Sequence, residues 1–137
     1  MSGTDLDLTS LITETPVSVP YWAALRAGRL DFQRCRACGN AWLPPREECP
    51  RCLEADWAWE TASGHGRVIS WVVYHVAPNQ MFASRVPYNV AIVELDEGPR
   101  LITNLLGDDG RSPRIEAPVQ LEIQEEGGLA MARFRLV

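Results

Sequence analysis

The 137 residues carry 46% hydrophobic and 23% charged side chains, a balance that fits one globular unit. All 13 basic residues are arginine, and the lack of lysine excludes Schiff-base chemistry, lysine general bases and the P-loop mode of phosphate binding. Against 18 acidic residues the formal net charge is -5, which disfavours a protein that tracks a nucleic-acid backbone through a basic surface.

Residues 1–17 hold Asp5, Asp7 and Glu14 with no basic residue and read as a flexible acidic arm. No charged-then-apolar leader opens the chain, and no apolar run reaches the roughly 18 residues of a membrane span. A cytoplasmic protein with no membrane partner is expected. A short helix is predicted over 18–29, with Ser18 as its cap, Pro20 in the first turn and Gly28 ending it in a left-handed conformation. Tyr21, Trp22 and Leu25 fall at helical spacing and give it one apolar face, for the chain's own core or for a partner.

Residues 30–60 contain all four cysteines, Pro44-Pro45 and three of the five tryptophans, with short strands expected at 30–34, 41–43 and 57–61. From 61 to 137 the pattern is β throughout. Strands are predicted at 67–76, 88–96, 100–106, 118–125 and 130–136, separated by Gly, Pro or Asp clusters. The last two alternate: Val119, Leu121 and Ile123 face the core, as do Ala132, Phe134 and Leu136, while Arg133 and Arg135 face water. In 67–76, Val68, Val72 and Tyr74 lie on one face and Ile69, Trp71 and Val73 on the other, so both faces need cover. Five strands in about 70 residues fit a small Greek-key barrel of the OB type. The fold class is therefore mainly β: an N-terminal helix, a four-cysteine ribbon, then a five-stranded barrel.

Cys35-x-x-Cys38-Gly39 and Cys49-x-x-Cys52 are two C-x-x-C pairs separated by ten residues. Each tight turn points two thiolates at one ion, and two such knuckles make a closed four-sulfur site suited to structural zinc. Iron, as in rubredoxin, is the alternative occupant. Leu53 stands where the second knuckle would favour glycine. Two disulfides would need an oxidising compartment, and neither pair opens a helix in a βαβ unit as a redox motif would. Four thiolates around a dication leave a formal charge of about -2, which Arg34, Arg36, Arg46 and Arg51 are placed to offset.

Other candidate chemistry is sparse. His65 lies between Gly64 and Gly66, and His75 ends a strand; neither sits in a nucleophile motif. Asp108-Asp109 and Glu125-Glu126 are neighbours in sequence and read as solvated charges. Segment 77–87 places Met81 and Phe82 near Arg85 in a loop that would border the ligand face of an OB barrel.

The run Tyr21-Trp22-x-x-Leu25-x-x-Gly28-x-Leu30, then Gln33-Arg34-Cys35-x-x-Cys38-Gly39 and Leu43-Pro44-Pro45-Arg46-x-x-Cys49-Pro50-x-Cys52, resembles a known family. It is that of the rubredoxin-like zinc-ribbon/OB-fold proteins that accompany thiolases. Gly64-x-Gly66-x-Val68-x-Ser70, Val86-Pro87-Tyr88, the run from Val93 to Leu101 and Thr103-Asn104-Leu105 extend the match to about residue 136. The resemblance implies a non-catalytic accessory subunit of an acyl-CoA enzyme. The implied partner is a thiolase-superfamily subunit, of acetyl-CoA acetyltransferase or steroid side-chain aldolase type, in a hetero-oligomer. Other members serve hot-dog-fold enoyl-CoA hydratases, which is the alternative. Trp22, Trp71, Met81, Phe82 and Arg85 are the candidate contacts to partner or acyl-CoA. Direct acyl-CoA binding through arginines is a second hypothesis. Single-stranded nucleic-acid binding is a third, weakened by seven arginines against nine acids over 61–137.

Overall fold

The structure, a computed structural model, describes residues 14–77, 83, 87–107 and 113–137. The expected positions Met81, Phe82 and Arg85 lie outside the described residues, as do residues 1–13 and Asp108-Asp109.

The chain opens with α1 (Val19–Arg26), followed by the strands β1 (Asp31–Cys35), β2 (Ala41–Trp42) and β3 (Trp57–Thr61). Ser18 does not cap the helix with its side chain, because its backbone is already helical at φ -89 and ψ -19. Thr15 takes that role one turn earlier. Its Oγ1 accepts from the Ser18 N–H at 3.2 Å, and the Thr15 N–H donates to Ser18 Oγ at 2.8 Å, a reciprocal box that satisfies two free amides. The helix ends as expected at Gly28, φ +88. There Arg29 N–H reaches Ala24 O at 2.8 Å and Gly28 N–H reaches Leu25 O at 3.0 Å, the bond pair of a Schellman turn.

The three ribbon strands form an antiparallel sheet in the order β2-β1-β3. Cys35, Trp42 and Cys49 are buried at its centre, with Trp57 packed against them.

The remaining strands are β4 (His65–Tyr74), β5 (Tyr88–Leu95), β6 (Arg100–Thr103), β7 (Leu105–Leu106), β8 (Pro118–Glu126) and β9 (Leu129–Leu136). Their order is β6-β5-β4-β8-β9-β7, and every pair is antiparallel except β7 with β9. The strand expected over 100–106 is therefore broken into β6 and β7, one at each end of the sheet. Because the two are contiguous in the chain, the break closes the sheet into the OB barrel.

Asn104 stands at the break. Its Nδ2 donates to Asn89 O at 2.5 Å, while Asn89 Nδ2 donates to Leu105 O at 2.9 Å and Leu105 N–H to Asn89 Oδ1 at 2.6 Å. Those amides serve backbone groups that a continuous ladder would have paired. Thr103 Oγ1 donates to Ala132 O at 2.8 Å and ties β6 to β9 across the seam.

The barrel core holds Val68, Ala91, Val93, Leu95, Leu105, Val119, Ala130 and Phe134, joined by Leu25 of the helix and Leu30. A register shift between Val68 and Ser70 makes Ile69 a bulge. Beyond it Trp71 faces Ala91 and Val73 faces Asn89, so both share the side of Val68, opposite Val93. Val72 and Tyr74 turn outward with Val90 and Tyr88. This corrects the face assignment that simple alternation gives. Arg133 is corrected too: it is only 9% exposed rather than wet, with its Nη1 on Gln124 Oε1 at 3.1 Å and Glu126 Oε2 at 3.0 Å.

Ribbon and barrel are joined at one seam. Ala62 N–H donates to Leu30 O at 2.8 Å, Ser63 N–H to Glu97 Oε2 at 2.6 Å, and Arg34 Nη2 to Glu97 O at 3.4 Å. No helix among the described residues is long and apolar enough to cross a membrane.

Candidate metal centre

Cys35 is the last residue of β1, and the chain turns at once. Its N–H donates to Asn40 O at 2.8 Å, and Gly39 N–H returns to Cys35 O at 3.0 Å. The turn aims the amides of Ala37 and Cys38 at Cys35 Sγ, at 3.3 and 3.4 Å. The second knuckle repeats the pattern: Cys49 N–H to Glu54 O at 2.9 Å, Leu53 N–H to Cys49 O at 2.8 Å, Arg51 N–H to Cys49 Sγ at 3.4 Å. Gly39 at φ +79 and Leu53 at φ +68 hold the same left-handed position in the two turns.

The knuckles face each other. Cys35 and Cys52 Sγ lie 3.5 Å apart, Cys38 and Cys49 Sγ 3.7 Å, and all four sulfurs fall within 4.8 Å of one another. A tetrahedral ion with metal–sulfur bonds of about 2.3 Å needs sulfurs about 3.8 Å apart, so the cage has the right size. Cys35 and Cys49 are buried, and Cys38 and Cys52 lie on the solvent side.

The electrostatics also call for a cation. Amides of Cys38 and Ala37 draw the Cys35 thiol below its ordinary range despite its desolvation. At Cys49 desolvation opposes ionisation, but the Cys52 and Arg51 amides and the Asn40 side chain outweigh it and bring the thiol down to about 6. The Glu54 amide favours a thiolate at Cys52. Desolvation and its three sulfur neighbours overcome that and push it up to about 12. The knuckle amides thus favour the thiolate at Cys35 and Cys49, while the crowding of sulfurs that raises Cys52 is what a dication would offset. That donor set fits Zn²⁺, which would be held by Cys35, Cys38, Cys49 and Cys52 with no open position.

Of the four arginines placed to balance this charge, Arg34 donates to the first knuckle at Gly39 O, 3.0 Å, and to Glu60 Oε2, 3.1 Å. Arg36 pairs with Asp56 at 2.8 Å. Arg46 and Arg51 are exposed. Sequence reasoning gave Gln33 no role beyond its place in the family motif. It is fully buried, its Nε2 donating to Arg46 O at 2.7 Å and its Oε1 accepting from Arg46 N–H at 2.8 Å, which pins the Pro44-Pro45 loop to β1. The physical signal for that role was a polar residue after Phe32 in a strand.

Trp22 and Trp71 are both partly buried against the barrel core, on α1 and β4. His65 and His75 are exposed and stand apart from each other on β4 and just beyond it.

Ribbon and barrel together define the class: a rubredoxin-like structural zinc ribbon followed by an OB-fold domain. The family model for the ChsH2 rubredoxin-like zinc ribbon matches residues 22–58, and that for the ChsH2 C-terminal OB-fold domain matches 59–124. The chain belongs to this ChsH2, or DUF35, family.

Among its relatives, a probable enoyl-CoA hydratase alpha subunit of Thermomonospora curvata is 40% identical over 84% of the chain, which spans 36% of that protein. A DUF35 domain-containing scaffold protein of Methanothermobacter thermautotrophicus is 37% identical over 72% of the chain and 76% of its own length. A 3-oxo-4,17-pregnadiene-20-carboxyl-CoA hydratase alpha subunit of Mycobacterium tuberculosis is 34% identical over 73% of the chain and 31% of its own length. The chain thus spans about a third of the hydratase subunits it matches. Among solved structures, a chain of the Ltp2-ChsH2(DUF35) aldolase superposes with a TM-score of 0.78 at 37% identity, covering 91% of this chain and 98% of that one.

Proposed function

We propose that this chain is a non-catalytic accessory subunit that binds a thiolase-superfamily enzyme, of acetyl-CoA acetyltransferase or steroid side-chain aldolase type, and helps shape its acyl-CoA site. The observation that carries this is the superposition, over nearly its full length, on a chain of the Ltp2-ChsH2(DUF35) aldolase. The name of the archaeal relatives, scaffold proteins, points the same way. A metal held by four thiolates has no position for substrate, so the ribbon serves shape rather than chemistry.

Co-expression with a thiolase-superfamily subunit of the source organism tests the reading. A complex of defined stoichiometry that survives gel filtration, and whose acyl-CoA turnover falls when this chain is omitted, is expected. Full activity of the enzyme alone, with no complex, would overturn it.

A second reading follows from the hydratase alpha-subunit names: the chain serves a hot-dog-fold enoyl-CoA hydratase as its acyl-CoA-binding part. It predicts saturable binding of an enoyl-CoA by the isolated chain in calorimetry, which the first reading does not require.

A further inference from the structure

Beyond Val68 the strand β4 parts from β8. Its pairs with β8 end at Arg67↔Pro118, and the last backbone bonds on that side join Val68 to Ala117 and Glu116. From Ser70↔Ile92 to Tyr74↔Tyr88 it pairs with β5 alone among the described residues. Only past Trp71↔Ala91, where the pairing of β5 with β6 also ends at Ala91↔Thr103, do β4 and β5 run on as a two-stranded arm, and its β4 edge is free among the described residues. Such a ribbon is marginal by itself in water, and a free apolar edge is a liability that proteins usually blunt with charge or proline.

Neither device is present here. From Val68 to Val76 and from Tyr88 to Val93 there is no Asp, Glu, Lys, Arg or Pro. The arm is apolar on both faces. Val72 is 54% exposed and Val76 81%, Tyr74 and Tyr88 stack at 5.3 Å between centroids, and Val73 is exposed on the other side. Ile102, opposite Ile92, extends the outer stripe onto β6 at 75% exposure. At the base of the stripe stand Arg67, Glu94, Arg100 and Glu116, two of each sign, linked by Glu94–Arg67 at 2.6 Å and Glu94–Arg100 at 2.8 Å and by an Arg67–Glu116 pair. An apolar centre with a balanced polar rim is the composition of a protein–protein contact.

We infer that the arm formed by residues 72–76 and 88–90, with the outer stripe that continues to Ile92 and Ile102, docks into an apolar, uncharged cleft of the enzyme subunit that this chain serves, gripped on both faces. The inference rests on the accessory-subunit reading. Charge selects the occupant: an arm without cations gains nothing from a nucleic acid or an anionic lipid surface. A second copy of the chain would bring two bodies of net charge -5 together.

The test uses the full zinc-loaded chain and the co-expressed thiolase-superfamily subunit. Val76→Glu, just past the end of β4, and Val72→Glu are compared with Ile115→Glu, an exposed apolar position off the arm. Each variant is first shown to keep its zinc and its thermal melt; Val76→Glu serves if Val72→Glu does not fold. Both arm variants are expected to weaken the complex at least tenfold, and the control less than twofold. Undiminished affinity in the arm variants, beside a wild-type complex, would overturn the arm and leave the accessory reading standing. No wild-type complex would overturn both. A wild-type homodimer, or sedimentation with phosphatidylglycerol vesicles, that Val76→Glu abolishes would overturn the assigned occupant.

Discussion

Leu53 occupies, with its side chain 69% exposed, the left-handed position that Gly39 fills in the other knuckle. A non-glycine residue there costs about 1–2 kcal/mol, against about 0.5–1 kcal/mol for the extra freedom a glycine loses on folding. Leu53→Gly should therefore stabilise the zinc-loaded protein by up to about 1 kcal/mol in urea denaturation. Gly39→Ala should destabilise it although its Cβ would meet nothing within 4 Å, because the penalty is in the backbone. Glu94 makes a prediction of different kind. Hydrogen bonds from Arg67 and then Arg100 hold its carboxyl below the ordinary 4.5. A carboxylate lowered in the folded state stabilises fully above its unfolded value, and that stabilisation is lost as the pH falls through the folded one. Glu94→Gln should lower the melting temperature at pH 7 and narrow the difference between the melts at pH 7 and pH 3.

At the level of strands, most of the fold could be read because hydrophobic alternation is local. Residues 57–61 were expected and form β3, and the predicted 118–125 is one residue short of β8. The C-x-x-C pairs were legible for the same reason, since each knuckle's ligand geometry is set within five residues. Two features were not. RLITNLL over 100–106 reads as one strand, and what divides it at Asn104 is the need to reach β9, whose Phe134 N–H donates to Asn104 O at 3.2 Å. Likewise nothing in RVISWVVY marks Ile69 as a bulge; the shift places Trp71, rather than Val72, against the core. At Gly66 the constraint is contact: a Cβ there would lie 2.6 Å from Glu94 O and 3.0 Å from Val93 Cγ1. Gly66→Ala must push β4 from β5, and a loss of about 1–3 kcal/mol is expected in chemical denaturation, with zinc retained.

Across the whole molecule the two sheets depend on different cohesion. The barrel encloses its own apolar core from Val68 to Phe134, whereas the ribbon's own cluster is Cys35, Trp42 and Cys49, with Phe32 and Gln33 also buried on β1. A unit of about 30 residues with so small a core does not fold without its metal. Removing zinc with a chelator should therefore melt residues 31–61 and leave the barrel strands standing. The effect reaches beyond the ribbon, because Leu30 belongs to the barrel core and Arg34 links Gly39 O of the first knuckle to Glu97 O of the β5–β6 turn. Loss of the knuckle frees Arg34, and the Glu97 turn loses that tie. Hydrogen exchange reads all three layers at once. With zinc, β1, β3 and the Glu97 turn should be protected together. After chelation β1 and β3 should exchange freely, the turn should exchange faster, and β8 and β9 should keep their protection. Arg34→Gln in the zinc-loaded protein tests the link: the turn should loosen while zinc stays bound and β1 stays protected. A chelated protein in which β8 and β9 also exchange freely would show instead that the zinc ribbon and the barrel fold as one cooperative unit.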